Sequence, residues 1–533
     1  MVKGLSWFRF AWTVLLVVAT SAPYLWNWLS TPAGFHYTWI LPPYPDDSFG
    51  YAAWAQQAAH GAWLFKIKYT ALPHSAFFFH PFFLICGWMS ALFSCDIGIV
   101  FWVVKALGVV LFLRVFYRYI DYLGFGTVSS IASSVLVGVS SGFGGIIGFM
   151  GWTKPPSIVP ADLWMPEVST YWSLLWNPLF PFSLTLLLLS IYWLDRGTRD
   201  GRAADLWRGG LAAGVMVLIH PYSAPFLFAF PTIVTIARQG RRSVGYLSRY
   251  IIASLPFLIY LVWTSRSNRV VSQHSVLGEM KSPTVIAYLL GFGLPLVLAA
   301  TALFVKKGAL VRRYWHIFLW FLLSAMLAYF PFWFQRKLIF GAHIALCILA
   351  GAALDLMLSK LSSVRSRRYV LIALVIIFTP LLVATPIYLF RNEREEVKLN
   401  KEGAYYVSDD LMEGFQVLRD RSKPDDVVMA TYPTSRLIAA FAGNTVVWGH
   451  WAMSIDLKER QKWIRDLFDP GSDWSDEKRR AAFWANDIQF IFADGILKES
   501  LARYPFGWGV VLRDAPKIFA NNSVIIYQRP SNL

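Results

Sequence analysis

Long apolar runs separated by short charged connections fill roughly the first 390 residues of the 533-residue chain. A helix needs about 20 apolar residues to cross a hydrocarbon layer of about 30 Å. Runs that meet or approach this length cover residues 8–30, 97–119, 127–150, 173–194, 207–220, 222–237, 247–264, 284–305, 316–334, 338–358 and 369–390, the fifth and sixth being short. The pattern predicts a polytopic α-helical membrane protein of about 11 transmembrane helices. A further apolar run at residues 81–93 is too short to span. Counting it would reverse the side of every later connection against the charge bias, so it reads as a helix dipping into the outer interface.

Lysine and arginine gather in alternate connections: Arg114 and Arg118; Arg196, Arg199, Arg202 and Arg208; Arg238, Arg241 and Arg242; Lys306, Lys307, Arg312 and Arg313; Lys360, Arg365, Arg367 and Arg368. The positive-inside bias places these loops and the amino terminus in the cytoplasm. The outer connections are then residues 31–96, 151–172, a tight turn near His220, residues 265–283 and a turn at Gln335 to Lys337. An odd number of spans leaves residues 391–533 outside.

After residue 390 the pattern changes to mixed and charged. Strand-like runs at 426–430, 445–448, 488–493 and 523–528 alternate with helical ones at 435–441, 457–468 and 476–486, which predicts a small α/β domain. The division expected is a transmembrane module at 1–390, including the first outer loop 31–96 with interfacial helices, and a soluble extracytoplasmic α/β domain at 391–533.

Composition agrees with a membrane class: 56% of residues are hydrophobic and 15% charged, with a mean hydropathy of +0.46. The net charge of +17 lies mostly between apolar spans, which removes it as an argument for nucleic acid. Cys86, Cys95 and Cys347 show neither metal-site nor disulfide spacing and read as inert thiols. No phosphate-binding glycine loop, dinucleotide turn, His-Glu-x-x-His or Cys-x-x-Cys occurs, against a nucleotide-driven pump or a cytosolic nucleotide-sugar enzyme.

Candidate chemistry sits in the outer connections. Pro45-Asp46-Asp47-Ser48-Phe49-Gly50-Tyr51 precedes a helix-like stretch at 52–60 that ends at Gly61, so two carboxylates are expected just before a helix amino terminus. One Asp there suffices for capping; two invite a ligand or a general base. The second outer loop offers Lys154, Asp162 and Glu167 among Trp and Tyr residues that serve an interface belt or a sugar face. Arg336 and Lys337 form a basic pair on the side that should be poor in positive charge, suited either to snorkelling or to holding a lipid phosphate. Arg266, Arg269 and His274 are weaker candidates of that kind. His220, beside Pro221, reads as a structural hydrogen-bonder with a second-tier place at the site, and His343 as packed in its helix. The run Trp448-Gly449-His450-Trp451 fits a core segment better than the rim of an acceptor site.

This arrangement resembles the GT-C superfamily of integral membrane glycosyltransferases. The resemblance rests on Asp46-Asp47 and Tyr51 in a long first outer loop, on Asp162 to Glu167 leading into Trp176-Asn177-Pro178-Leu179-Phe180, on Arg336 opening an apolar helix at 338–351, and on an outer α/β domain. It implies transfer of a hexosyl or pentosyl group from a polyprenyl-phosphate donor to a hydroxyl of a glycan, lipid or protein acceptor on the outer face. Asp46 would be the catalytic carboxylate, Asp47 its neighbour, and Glu167 a helper that positions the acceptor or a metal. Arg336 with Lys337 would neutralise the leaving phosphate. The Asp-Asp pattern, in place of the Asp-Glu of some branches, leaves open which acid is catalytic. No cofactor is required, and Asp46, Asp47 and Glu167 leave room for a divalent cation, magnesium or manganese.

Two other readings stand beside it. A flippase or transporter of a lipid-linked glycan needs charges deep inside several spans, where the sequence offers little beyond Lys105. A non-catalytic scaffold with a glycan-binding outer domain would need Asp46 and Asp47 only as caps. Expected partners are the lipid-linked sugar, the acceptor and membrane lipids, with no nucleic acid. No N-terminal targeting segment or retention signal is seen and cysteines are few, which points to a bacterial inner membrane with the amino terminus cytoplasmic.

Overall fold

The computed structural model describes the chain except residues 1, 153–157, 268–279, 305–307, 362, 401–402, 469–473, 504–508 and 531–533. It is mostly helical. Among the described residues six helical segments are long and apolar enough to cross a membrane: Gly4–Leu29, Ile97–Tyr122, Pro221–Arg266, Val285–Phe304, Gln335–Ser359 and Ile372–Leu399. The chain divides into two compact units. One comprises Met1–Pro23, Trp102–Trp263 and Gly278–Glu395, and the other Tyr24–Phe101, Thr264–Leu277 and Glu396–Leu533.

The first unit is a helical bundle. Several runs that look continuous in sequence are broken. The run at 127–150 becomes Thr127–Val139 and Gly144–Phe149. The break sits where Gly142 passes so close to a neighbouring segment that a Cβ on it would meet the Leu290 carbonyl oxygen at 2.2 Å. The run at 173–194 is divided at Asn177-Pro178 into Thr170–Trp176 and Phe180–Arg199. Proline cannot donate to the helix ladder, and the Asn177 side chain accepts instead from the Leu179 N–H at 2.9 Å.

The bundle also buries more charge than the sequence pattern suggests. Asp195, fully buried, accepts from Arg238 Nη1 at 2.7 Å and Tyr119 OH at 2.7 Å and lies 3.0 Å from His316 Nε2. Asp205 pairs with Arg196 and Arg208. These carboxylates neutralise arginines that the sequence assigns to loops, as buried charge requires. Lys105, also fully buried, donates to the carbonyls of Thr20 and Leu175.

The second unit is assembled from distant parts of the chain. Strand β1 (Phe35–Tyr37) pairs antiparallel with β2 (Tyr406–Ser408). A five-stranded mixed sheet has the order β4-β3-β5-β7-β6, with β3 at Val427–Met429, β4 at Thr445–Val446, β5 at Ile488–Ala493, β6 at Lys517–Ala520 and β7 at Ile525–Gln528. Strands β4, β3 and β5 run parallel, and β7 lies antiparallel between β5 and β6. Alternation along β3 sends Val428 to one apolar cluster and Val427 and Met429 to the other, one on each face. Val428, Phe415 and Phe490 share their cluster with Tyr37, Phe49, Ala53 and Tyr69, so the first long loop and the tail build one core. Residues 31–96, expected within the transmembrane module, therefore pack with the carboxyl-terminal part. The apolar run at 81–93 is a helix, Pro81–Phe93, seated closely on the helix Pro45–Ala59: a Cβ on Gly87 would lie 2.3 Å from the Ala55 carbonyl oxygen.

Gly341 precedes the helix Ala342–Ser359 with φ +83°, and a Cβ there would lie 2.3 Å from Leu187 Cδ2. Gly341→Ala therefore meets both a backbone penalty and a clash. It is expected to destabilise the protein by about 1–3 kcal/mol, read as a lower thermal midpoint of the detergent-solubilised protein.

Candidate active site

Asp46 and Asp47 lie in the first turn of the helix Pro45–Ala59. The helix starts at Pro45, not near residue 52 as the sequence suggests, because proline at the first helical position has its φ preset and loses no hydrogen bond there. Both acids thus sit inside the first turn, where the helix dipole favours them. Neither is the cap: Tyr44 holds that position. Asp46 accepts from Arg436 Nη1 at 2.9 Å through one oxygen and from the Tyr432 hydroxyl at 3.1 Å through the other. The Arg436 side chain is 3% exposed, against 18% for Asp46 and 31% for Asp47.

Asp47 faces the Trp448-Gly449-His450-Trp451 run. Its Oδ1 lies 3.4 Å from Trp451 Nε1 and 3.6 Å from His450 Nε2. The backbone N–H groups of Ala452 and Met453 both donate to His450 Nδ1, at 3.1 and 3.2 Å. That fixes Nδ1 as the acceptor and leaves the proton of the neutral ring on Nε2, toward Asp47. Trp448 is buried and Trp451 exposed, so the run is part core and part rim. Tyr69 packs on the His450 ring at 5.5 Å. Burial first, and then the Asp46 carboxylate, push its hydroxyl well above the usual range, so it remains a donor.

In the other unit Glu167, on the short turn Pro166–Val168, is buried and ion-paired with Lys337 Nζ. Burial alone would raise the Glu167 pKa, but Lys337 and Arg336 outweigh it and hold the carboxyl below its usual range. Arg336 and Lys337 occupy a tight turn, Gln335–Ile339, and not the opening of the α-helix, which begins at Ala342 after the left-handed Gly341. The Arg336 guanidinium lies over the Trp164 ring at 5.5 Å. It makes no ion pair among the described residues, and its buried Nε has no hydrogen-bond partner there. His220 stacks on Phe340 at 4.6 Å and bonds Ser223 Oγ at 2.8 Å, within the fields of Lys337 and Glu167.

The remaining candidates fall elsewhere. Asp162 accepts from Ser141, the Gly142 N–H and Thr385, tying the second loop to the broken helix at residue 142. Its burial pushes the carboxyl up to about 6. Tyr51 stacks on Phe83 at 5.0 Å and serves helix packing. Arg266 is exposed in the last turn of Ser243–Ser267, while Lys154, Arg269 and His274 lie outside the described residues. Among the described residues no three His, Cys, Asp or Glu side chains gather into a metal cluster. Asp46 and Asp47 offer only two carboxylates, one of them already on Arg436.

Reading the sequence missed Arg436 and Tyr432 altogether. The signal was available only in part: a tyrosine and an arginine at i and i+4 at the start of a short helix that leads into an apolar run, a placement that needs a buried acid to make sense.

The fold of a helical bundle with long apolar segments, and of a unit that carries an acid pair in the first turn of its loop helix, is shared with solved structures of an oligosaccharyltransferase, of ArnT and of an arabinofuranosyltransferase. The structures that show it are distant. Archaeal oligosaccharyltransferase AglB from Archaeoglobus fulgidus, solved with an inhibitory peptide and a dolichol-phosphate, is 12% identical with a TM-score of 0.52, over 98% of this chain and 76% of that one. ArnT from Cupriavidus metallidurans bound to undecaprenyl phosphate is 13% identical with a TM-score of 0.50, over 97% and 98% of the two chains. The arabinofuranosyltransferase AftD from mycobacteria is 13% identical with a TM-score of 0.53, over 97% of this chain and 40% of that one. No family model and no curated protein matches the sequence.

Lys337→Met leaves the buried Glu167 facing Arg336 alone. In the native protein the depressed Glu167 pKa contributes stability above the ordinary carboxylate pKa, lost as pH falls through the folded value. In the variant the pKa rises, so the charged form becomes the burden. The expected loss is on the order of 2 kcal/mol near pH 8 and smaller near pH 5, where the acid takes up a proton. Thermal midpoints of both proteins at the two pH values check this; an equal loss at both would exclude the ion pair as its cause.

Proposed function

We propose that this protein is a membrane glycosyltransferase that moves a sugar from a polyprenyl-phosphate donor to a hydroxyl of a glycan, lipid or protein acceptor on the outer face of the membrane. The observation that carries the reading is the acid pair, which does not cap its helix and is held from a second part of the chain by Arg436, Tyr432 and His450. The fold adds weight, since two proteins that share it were solved with a polyprenyl phosphate.

In this proposal Asp46 is the base. A carboxylate has about four acceptor positions, and the two donors on Asp46 leave others for an acceptor hydroxyl. Arg436 orients the carboxylate without occupying both of its oxygens. Asp47, beside His450 and the exposed Trp451, contributes to the acceptor-binding face, where a ring suits the C–H face of a sugar. Lys337 is already paired with Glu167, so Arg336 is the cation that meets the donor phosphate and stabilises the charge that develops as it leaves. Residues 391–533, with the first outer loop, form the extracytoplasmic α/β part of the enzyme, and the amino terminus is cytoplasmic. The host is a bacterial inner membrane.

Turnover is to be followed as release of polyprenyl phosphate and appearance of glycosylated acceptor. Asp46→Asn is expected to lower kcat of the folded protein by about 10²–10⁴, as loss of a general base does, and also to lower the thermal midpoint, because the buried Arg436 loses its charged partner. Arg336→Gln is expected to raise KM for the lipid donor and lower kcat together. Full turnover by Asp46→Asn with loss in Asp47→Asn would move the base to Asp47; full turnover in both would sink the enzyme reading.

A further inference from the structure

A separate cluster of cations lies in the bundle and includes no residue placed in the proposed reaction. The helices Val2–Leu29 and Ile97–Tyr122 border a cavity of about 470 Å³ whose walls carry Arg9, Arg114 and Arg118 beside Phe10, Val110 and Tyr117. One acid, Asp121, is present, and Arg9 already occupies it, its Nη1 donating at 2.9 Å. The Arg9 guanidinium is further fixed over the Tyr117 ring at 5.1 Å. Arg114 and Arg118 are exposed, stand four residues apart on one helix face, and have no ion pair among the described residues. Neighbouring like charges at that spacing repel, so an anion placed between them relieves a native cost.

Depth decides which anion. At ~1.5 Å per residue, Arg114 and Arg118 lie about 26 and 32 Å along their helix from Ile97, and Arg9 about 30 Å from Leu29. A hydrocarbon layer is about 30 Å thick, so all three reach the headgroup level of one leaflet. The same helix stripe continues toward the layer's centre through Leu111 and Leu107, and the facing helix through Phe10 and Val14, all of them exposed. The cationic groove thus opens onto apolar surface that acyl chains would cover.

We propose that this groove binds an anionic phospholipid, with Arg114 and Arg118 on the phosphodiester and the acyl chains along Leu107, Leu111, Phe10 and Val14. Guanidinium forks match phosphate oxygens, and a basic pocket between membrane helices is suited to lipid headgroups. A soluble phosphate would use the arginines but gain nothing from the apolar stripe.

The test uses the full-length protein in detergent micelles, titrated with phosphatidylglycerol, phosphatidylcholine or inorganic phosphate, with bound lipid counted by native mass spectrometry. Phosphatidylglycerol is expected to bind about tenfold more tightly than phosphatidylcholine, and the doubly substituted Arg114→Gln, Arg118→Gln protein to lose about that factor for phosphatidylglycerol alone. Inorganic phosphate is expected not to displace the lipid. Equal binding of the two lipids by the unaltered protein overturns the proposal without recourse to any variant. Undiminished phosphatidylglycerol binding by the double variant, or displacement by inorganic phosphate, overturns it as well, the latter in favour of a soluble phosphate ligand.

Discussion

A guanidinium withdrawn from water needs a carboxylate within reach, and the second unit is organised around that requirement. Arg436 is nearly completely buried, and Asp46 is its partner. The pair fixes which way the first turn of the loop helix presents its acids, brings Tyr432 onto the same carboxylate, and sets His450 and Trp451 beside Asp47. Phe49 and Tyr69 share one apolar core with Phe415 and Phe490, and Phe49 also carries the Arg436 guanidinium over its ring at 5.7 Å.

The bundle treats its own charges by the same rule but to a different end. Asp195, Asp205 and Glu167 are each buried against cations, and Lys105 is buried against carbonyl oxygens. Arg336 departs from the pattern. Its neighbour Lys337 takes the local carboxylate, while Arg336 rests on an indole ring, which holds a cation without neutralising it. A phosphate arriving there would meet a positive charge still available for it, on a tight turn that Gly341 joins to its helix.

Much of this was legible in the sequence wherever a residue's neighbours in sequence decide its structure. Strand β5 and the helix Leu457–Phe468 fall at their expected limits, because alternation and helical period persist along each. The helix at Pro81–Phe93 also agrees. What was hidden depends on partners far away. The run at 127–150 has the hydropathy of a span, yet Gly142 is there to let another backbone in. Strands β1 and β2 are three residues each and have no identity until they pair. Asp46 was visible as an acid in a suggestive place, but Arg436 looked like one more charge in a soluble segment. Its burial is set by tertiary packing that no local pattern encodes.

The two partners of that ion pair are separated by 390 positions. Synthesis delivers Asp46 well before Arg436, so over the intervening stretch the loop helix has neither its counter-charge nor the second half of its core. Elongation thus acts as a timer: a chain halted anywhere in the bundle has its two acids still unarranged, and the loop helix gains its counter-charge only when Arg436 arrives.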